Sequence, residues 1–527
     1  MMPMRAGSSL GKSGCFFALG AALLGAIACG PGTTVETAPP PPELAARAVA
    51  ADGQAKRGCY VGFKNAVGIY EELYAQPAMK RRVAYPCVRT LLLLLVRERE
   101  IGVLSHAGFK RATEIITENP SLDQFRTFFD IADSLAPRTR GIMQDISITG
   151  VRKVYDDVLK AVDFQKTLRG LAEDEDYFAY IYAAFFTGSG FFAEQLDDAT
   201  KDVLNRFPDS LLMRYKNAIY PRENPDLLNA LLQADPEFFE AHYNLGALAL
   251  QSGNLLEAEA EFLKAIPGLS DSPQVNIYLA SIYTATEEFE KSLDFYDKTL
   301  AAAPGYRDAI LGKAISLSYL GRYREAIDVL NKNVELGYYL LGESHYWLAW
   351  NYHELKDSDR AQANIEQSKP RLPTNSEVYG LAGTIVHDKG ELDRAEEEFV
   401  EALKYNASNT EALFGLGRIF GEKQRWPESA ESFEKAAAVF EKNENAILAK
   451  IEEVKKAPLA DERKARMLAK KDQQLRVTRA TRATAFYDAA VSYLNAELKD
   501  KALAAAERAA EHPQFKAKAE ELIKKIK

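Results

Sequence analysis

The sequence is poor in the residues from which catalytic and metal sites are built. Its 527 residues include four cysteines and six histidines, and no histidine stands in HExxH or another metal-ligand spacing. There is no CxxC pair, no glycine-rich phosphate loop and no GxSxG elbow. The formal net charge is −9, whereas general nucleic-acid binding needs a basic surface. We therefore expect no catalytic residue, no cofactor, no metal and no nucleic-acid partner.

What the chain does have, from Asp235 to Val439, is a pattern that recurs with a period of about 34 residues. A small residue marks the same point of each copy, at Gly246, Ala280, Ala314, Ala349, Gly383 and Gly417. Bulky residues such as Phe262 and Phe399 follow at a constant offset. Small residues allow two helices to approach closely, and bulky ones fill the space between them. Six copies in phase predict an all-α array of helix–turn–helix units.

This unit resembles the tetratricopeptide repeat in length and in its small and bulky positions. The resemblance implies a right-handed helical solenoid over residues 209–440, beginning with a shortened repeat. A further match around Ala490 predicts a final repeat and a capping helix over residues 485–527. Between them, residues 441–484 predict a long basic helical insert. Its charge indicates either a solvated helix face or a contact with an acidic partner or anionic lipid headgroups.

Ahead of the array, residues 58–208 predict an irregular all-helical region with helices over 59–76 and from about Pro86. Cys59 and Cys87 could pair only if residue 59 precedes its helix and folds back, because a helical hairpin would separate them by roughly 20–25 Å. The sequence does not decide whether Cys59 and Cys87 form a disulfide. The stretch from Gly58 to Glu100 is also similar to the tetratricopeptide-repeat lipoprotein component of TRAP-type transport systems. That resemblance implies an accessory role in solute uptake.

The first residues have the features of an export signal. Arg5 and Lys12 precede an apolar run over residues 15–28, which ends in Ala26-Ile27-Ala28-Cys29. This ending resembles the lipobox of bacterial lipoproteins, which implies a signal peptide over residues 1–28, lipidation of Cys29 and an outer-membrane lipoprotein facing the periplasm. An ordinary signal peptide cut after Ala28 is the alternative. Residues 29–57 include four consecutive prolines and predict a disordered tether.

In tetratricopeptide-repeat proteins the first helix of each repeat lines a groove. The resemblance places eight side chains on that groove: Tyr243, Ile277, Tyr346, Trp350, His353, His387, Phe414 and Arg418. This set is aromatic and sparsely charged, which favours an extended or helical apolar peptide. The alternative is that the rings pack between repeats. The two histidines predict neutral polar groups on the groove wall, and a metal site is the competing interpretation.

Together these features predict a lipid-anchored periplasmic scaffold or assembly factor that binds a protein partner of the cell envelope and catalyses no reaction. Two other classes of function stay open. One is an accessory component of a solute-uptake system, and the other is an enzyme within residues 58–208.

Overall fold

The computed structural model describes residues 39–103, 107–123, 125–126, 128–129, 176–177, 179–181, 206–219, 223–337, 340–457 and 461–527. The fold is all-α, and these residues contain no strand. The chain divides into two compact units, Met1–Gly312 and Lys313–Lys527. The predicted signal peptide and lipid-bearing Cys29 lie outside the described residues. Within those residues, no helix is both long enough and apolar enough to cross a membrane.

The array consists of paired helices. A short pair, Leu211–Ile219 and Pro225–Ala234, comes first. The repeats that follow are Phe239–Gln251 with Leu255–Leu269 (repeat 1), Pro273–Ala285 with Phe289–Ala302 (repeat 2), Arg307–Tyr319 with Tyr323–Glu335 (repeat 3), Leu341–Glu354 with Ser358–Ser368 (repeat 4), Ser376–Asp388 with Leu392–Tyr405 (repeat 5), Thr410–Glu422 with Trp426–Lys456 (repeat 6), and Asp461–Asn495 with Lys499–Ala510 (repeat 7). Helix Pro513–Ile526 ends the chain.

The two helices of a repeat meet where the small residue faces a ring. A Cβ atom added to Gly383 would lie 2.6 Å from the ring of Phe399, and one added to Gly417 would lie 2.7 Å from the ring of Phe433. No real Cβ tolerates such a distance, so the ring occupies the space that the missing side chain leaves. The offset along the chain from glycine to ring is the same in both pairs. The period of the sequence therefore reflects a helix–helix contact that recurs from repeat to repeat.

Repeats 6 and 7 are extended by two long helices. Trp426–Lys456 has 31 residues and Asp461–Asn495 has 35, which gives lengths of about 46 and 52 Å at 1.5 Å per residue. They pack against each other, and the buried carboxylate of Glu444 joins them by ion pairs of 2.7 Å to Arg479 and to Arg482. The basic insert predicted over residues 441–484 thus consists of the extended parts of two repeat helices.

The chain becomes helical earlier than predicted. A helix covers Pro42–Lys56, with Ala51 and Ala55 fully buried against the next helices. Arg57 then donates two hydrogen bonds of 3.0 Å to the carboxylate of Asp235, ahead of repeat 1. The prediction of a disordered tether up to residue 57 is therefore wrong for this part. Alanines with few bulky neighbours look like linker in sequence, but here their small size allows close helix packing.

The next two helices, Tyr60–Tyr74 and Lys80–Glu100, also differ from prediction. The second was expected to begin near Pro86, but it starts at Lys80, because Val83 and Ala84 are buried on the same apolar face as Cys87. Cys59 does precede its helix, yet it is unbonded, as is Cys87. Burial raises the pKa of both thiols to about 12, so neither reacts readily as a thiolate.

A buried charge network fastens these N-terminal helices to repeat 1. Arg97 is fully buried, and its guanidinium donates to Glu240 Oε1 at 2.8 Å, Tyr180 Oη at 3.1 Å and the carbonyl of Gly58 at 3.1 Å. The backbone N–H of Tyr60 donates to the same Glu240 oxygen at 2.6 Å. Hydrogen bonds on both charges are what makes such a pair tolerable in the interior.

Glu100 extends the network to Leu211–Ile219, the first helix of the short pair before repeat 1. Glu100 lies 3.2 Å from Arg97 and 3.0 Å from Lys216. Burial alone would raise the pKa of Glu100, but the charges of Lys216 and Arg97 bring it below its ordinary value. The guanidinium carbon of Arg97 also lies 4.1 Å from the ring centroid of Tyr215, a cation–π contact. Arg97 thus connects its own helix, Lys80–Glu100, with Leu211–Ile219 and Phe239–Gln251.

Substituting the small residues of the helix seams should destabilise the second unit. Ala326 and Ala395 are fully buried, so Ala326→Leu or Ala395→Leu should lower the free energy of unfolding by about 1–3 kcal/mol or more. The exposed Glu397 is the control, and Glu397→Leu should have a far smaller effect. The three tryptophans, Trp347, Trp350 and Trp426, all lie in this unit, so denaturation followed by tryptophan fluorescence reports it directly. Equal destabilisation by both kinds of variant would contradict the assigned register.

Removing Arg97 should destabilise the first unit much more than removing a surface arginine. Arg97→Ala leaves Glu240 without its cation in the core, and we expect a loss of about 3–5 kcal/mol. Arg111, whose side chain is 35% exposed and pairs with Glu71 and Glu114, is the control and should contribute at most about 1 kcal/mol. Urea unfolding followed by circular dichroism measures both. Similar losses would show that the buried network does not hold the unit together.

Candidate functional site

Two of the predicted groove residues, Tyr243 and Ile277, lie in the first unit. Tyr243 is half-buried, and its ring stacks on that of Tyr278 at 6.3 Å between centroids. Ile277 is only 5% exposed and packs in a core cluster with Tyr296 and Ala309. The prediction that Ile277 contacts a partner is therefore wrong, because the two following helices cover its side chain.

In the second unit, five rings form a continuous cluster that we call the aromatic surface: Tyr319, Tyr323, Tyr346, Trp347 and Trp350. Trp347 lies at the centre, with ring centroids 5.7, 5.5 and 5.6 Å from those of Tyr319, Tyr346 and Trp350. Tyr323 meets Trp350 at 5.8 Å. Tyr319 is 57% exposed, and the other four rings are half-buried. These rings pack between repeats 3 and 4 and also reach solvent, and their contact with a partner stays a prediction.

Buried amide and hydroxyl groups fix the position of this surface. Ser318, next to Tyr319, and Asn351, next to Trp350, are almost completely buried. The side-chain amide of Asn351 donates to Ser318 Oγ at 2.8 Å and to the carbonyl of Trp347 at 2.6 Å. The first bond joins the first helices of repeats 3 and 4, and the second lies within the helix of repeat 4, so the neighbouring rings are held in place before any partner arrives.

His353 and His387 each pair with an acid of the following repeat. His353 Nε2 lies 3.0 Å from Asp388 Oδ2, and His387 Nε2 lies 3.2 Å from Glu422 Oε1. The two histidines are therefore wall groups that link successive first helices. Within the described part of the chain, no group of three His, Cys, Asp or Glu side chains is placed to hold a metal ion.

A partly buried carboxylate, that of Glu411, lies between repeats 5 and 6. Thr384 donates to Glu411 Oε1 at 2.6 Å. Burial raises the pKa of Glu411, and the nearby charge of Glu377 raises it further. Gly380 stands beside this group, and a Cβ atom added there would lie 3.4 Å from Glu411 Oε2. The pKa of Tyr346 is raised by burial and by the charges of Glu411 and Glu377, so these acids lie close to the aromatic surface.

Phe414 and Arg418 lie one repeat further along. The ring of Phe414 packs against Phe433 at 5.6 Å and Phe440 at 5.9 Å between centroids, so Phe414 is half-buried and mainly structural. Arg418 is exposed. Burial raises the pKa of Asp488 to about 6, and the charge of Arg418 opposes that rise. Arg418 is therefore available to a partner, whereas Phe414 is largely committed to the fold.

The groove is not sparsely charged, which corrects the sequence prediction. Carboxylates recur once per repeat at both ends of the first helices of repeats 4 to 6: Glu343, Glu377 and Glu411 near the start, and Glu354, Asp388 and Glu422 at the end. Glu343, Glu377, Glu411 and Glu422 are missed by the sequence prediction, because it uses only three positions per helix. The signal was present in the sequence, since a regular spacing equal to the repeat length places side chains in one row.

The comparisons agree with this architecture. Residues 226–273 and 385–445 match the tetratricopeptide-repeat family model, and the chain carries tetratricopeptide repeats. It is 26% identical over 200 residues to protein O-mannosyl-transferase TMTC1 of Homo sapiens, covering 37% of this chain and 22% of that protein. It is 30% identical over 139 residues to ER membrane protein complex subunit 2 of Xenopus tropicalis, covering 25% of this chain and 46% of that protein.

A solved structure of a tetratricopeptide repeat protein from Parabacteroides merdae is also similar, with 17% identity and a TM-score of 0.36 over 53% of this chain and 98% of that chain. The chain spans less than half the length of either curated relative named here. A tetratricopeptide-repeat fold supports a protein–protein interaction scaffold, because stacked repeats present a long surface.

Proposed function

We propose that this chain is a protein-binding scaffold or assembly factor of the cell envelope, which captures a segment of a partner protein on the groove of repeats 3 to 6 and catalyses no reaction. One observation carries the proposal, namely the aromatic surface. Aromatic side chains reaching solvent in a cluster, with Tyr319 57% exposed, are typical of binding hot spots. The ordered hydrogen bonds beneath them support it, since a fixed surface loses little conformational entropy on binding.

We further propose that the protein is a lipoprotein of the outer membrane that faces the periplasm. The support is in the sequence: a positively charged start, an apolar run and Ala26-Ile27-Ala28-Cys29. A lipid at Cys29 would fix the place where the groove acts. One acyl chain alone gives only weak membrane binding, whereas several give a stable anchor.

The groove is tested by capture of the partner from crosslinked envelopes. Trp350→Ala with Arg418→Ala should weaken binding by about 2 kcal/mol or more, roughly 30-fold in the dissociation constant. Mass spectrometry should then show at least one protein depleted relative to the unchanged chain. Val400→Ala, on the second helix of repeat 5 and 40% exposed, is the matched control and should leave recovery unchanged.

Circular dichroism melting of both variants is part of the same experiment. A double variant that melts normally and still recovers every protein in full would move the main contact away from this groove. A sharp fall in its melting temperature would show that Trp350 acts mainly in the fold, and Tyr319→Ala, at the most exposed ring, then tests the surface.

The anchor is tested by Cys29→Ala. The variant should lose incorporation of labelled palmitate and leave the membrane fraction, because no other thiol in the expected mature chain lies at its start. If it remains membrane-bound to the same extent as the unchanged protein, the lipoprotein proposal fails. Cleavage after Ala28, with no palmitate label on the unchanged protein or on Cys29→Ala, would indicate an ordinary signal peptide.

A further inference from the structure

The charge on the first helices of repeats 4 to 6, next to the aromatic surface, is strongly one-sided. The first helices of repeats 4 to 6, Leu341–Glu354, Ser376–Asp388 and Thr410–Glu422, contain six carboxylates and a single basic residue other than histidine, Arg418. The two groove histidines are already engaged by Asp388 and Glu422. The groove side of these helices is therefore acidic, even where its floor is aromatic.

The carboxylates and the rings lie close to one another. Tyr323 Oη donates to Glu354 Oε2 at 3.4 Å. Burial and the negative charges of Glu411 and Glu377 raise the pKa of the Tyr346 phenol. Asn409 Nδ2 donates to Glu377 Oε1 at 3.4 Å. A ligand that covered the rings would thus meet carboxylates from both rows within the same few side chains.

We propose that the segment bound on the aromatic surface is basic, an extended stretch of a partner protein that lays Lys or Arg side chains across the rings with their charges towards the two carboxylate rows. This inference rests on the proposed function, because it names the chemistry of the partner for the same groove. Guanidinium and ammonium groups bind favourably over the faces of Trp and Tyr, and Arg pairs with carboxylates through two parallel hydrogen bonds.

The geometry favours an extended segment in repeats 5 and 6. Gly380 has no side chain, so Asn409 Nδ2 and Glu411 Oε2 approach its backbone closely, and an added Cβ atom would lie 3.3 and 3.4 Å from them. Glu377 and Glu411 are one repeat apart, as are Asp388 and Glu422. A chain running along the groove would therefore meet a carboxylate pair at each repeat, and basic residues spaced along an extended segment would match that periodicity.

A second copy of this chain is the competing occupant. Residues 441–484 contain twelve Lys or Arg and seven Asp or Glu, so the extended helices of repeats 6 and 7 are themselves basic. Helical geometry spreads those charges around two long helices, whereas the groove presents its carboxylates in rows. We therefore favour a segment of another protein.

Fluorescence anisotropy of the full chain with three labelled peptides tests the proposal. The peptides share length and an alternating alanine–proline background, and they carry arginine and lysine, glutamine or glutamate at the remaining positions. The basic peptide should bind at least ten-fold more tightly than the glutamine peptide, and the glutamate peptide should not bind. Raising the salt concentration from about 50 to about 500 mM should weaken binding of the basic peptide, because exposed charges are then screened.

Matched charge variants distinguish binding to the groove carboxylates from nonspecific attraction to the net negative charge of the protein. Glu377→Gln with Glu411→Gln should weaken the basic peptide at least ten-fold. The control is Glu397→Gln with Glu431→Gln, which removes two exposed carboxylates, also one repeat apart, from the second helices of repeats 5 and 6. It should leave the affinity unchanged. Equal effects of the two double variants would overturn the proposal, as would equal binding of the basic and glutamine peptides.

Tyr319→Ala distinguishes this proposal from the one it rests on. If it weakens both peptides while the basic and glutamine peptides bind the unchanged protein with equal affinity, the groove binds peptides regardless of their charge, so the scaffold function stands and the basic segment is wrong. If it weakens neither while the basic peptide still binds, the aromatic surface is not the site and both proposals fail. A concentration-dependent dimer in sedimentation velocity that Glu377→Gln with Glu411→Gln abolishes would identify a second copy as the occupant and overturn the proposal of a separate partner.

Discussion

The close approach of two helices at each small residue determines the rest of the array. Gly383 admits the ring of Phe399 and Gly417 admits that of Phe433, which sets the distance and rotation between the helices of a repeat. Once that geometry recurs, side chains one repeat apart fall into rows along the first helices. The two carboxylate rows of repeats 4 to 6 are a direct consequence. A site of this kind needs no convergence of distant loops, because the repeat itself supplies the alignment.

The first unit is stabilised by a different kind of interaction. Arg97 joins Glu240, Tyr180 and the carbonyl of Gly58 in a buried network. Repeat arrays need their ends covered, since a terminal repeat exposes the apolar face that the next one would bury. The helices before repeat 1 provide that cover, and the ion pairs specify how they attach. Apolar contacts alone would tolerate several registers, whereas a guanidinium with three directional bonds tolerates few.

Contacts between residues close in the sequence could be predicted, whereas contacts between distant residues could not. The helical repeats were predictable because their contacts are local, with each ring on the helix that directly follows the small residue it covers. The attachment of Arg97 to Glu240 was not, since the pair is 143 residues apart and no local pattern links them. The helix Pro42–Lys56 was missed because its buried residues are alanines. Of the eight predicted groove residues, Arg418 is exposed and Trp350 lies in the aromatic surface, while Ile277 belongs to the core because the next repeat covers that position.

The ionisation of the groove was the least predictable part, and it follows from packing. Glu411 accepts a hydrogen bond of 2.6 Å from Thr384, and burial together with the like charge of Glu377 raises its pKa. Such an arrangement is unfavourable in the free protein. It is retained because the helices that carry these residues are fixed by the close ring contacts of their repeats. A rigid array can therefore hold an electrostatically unsatisfied surface in solvent, and a ligand that brings positive charge relieves the repulsion without requiring the protein to change shape.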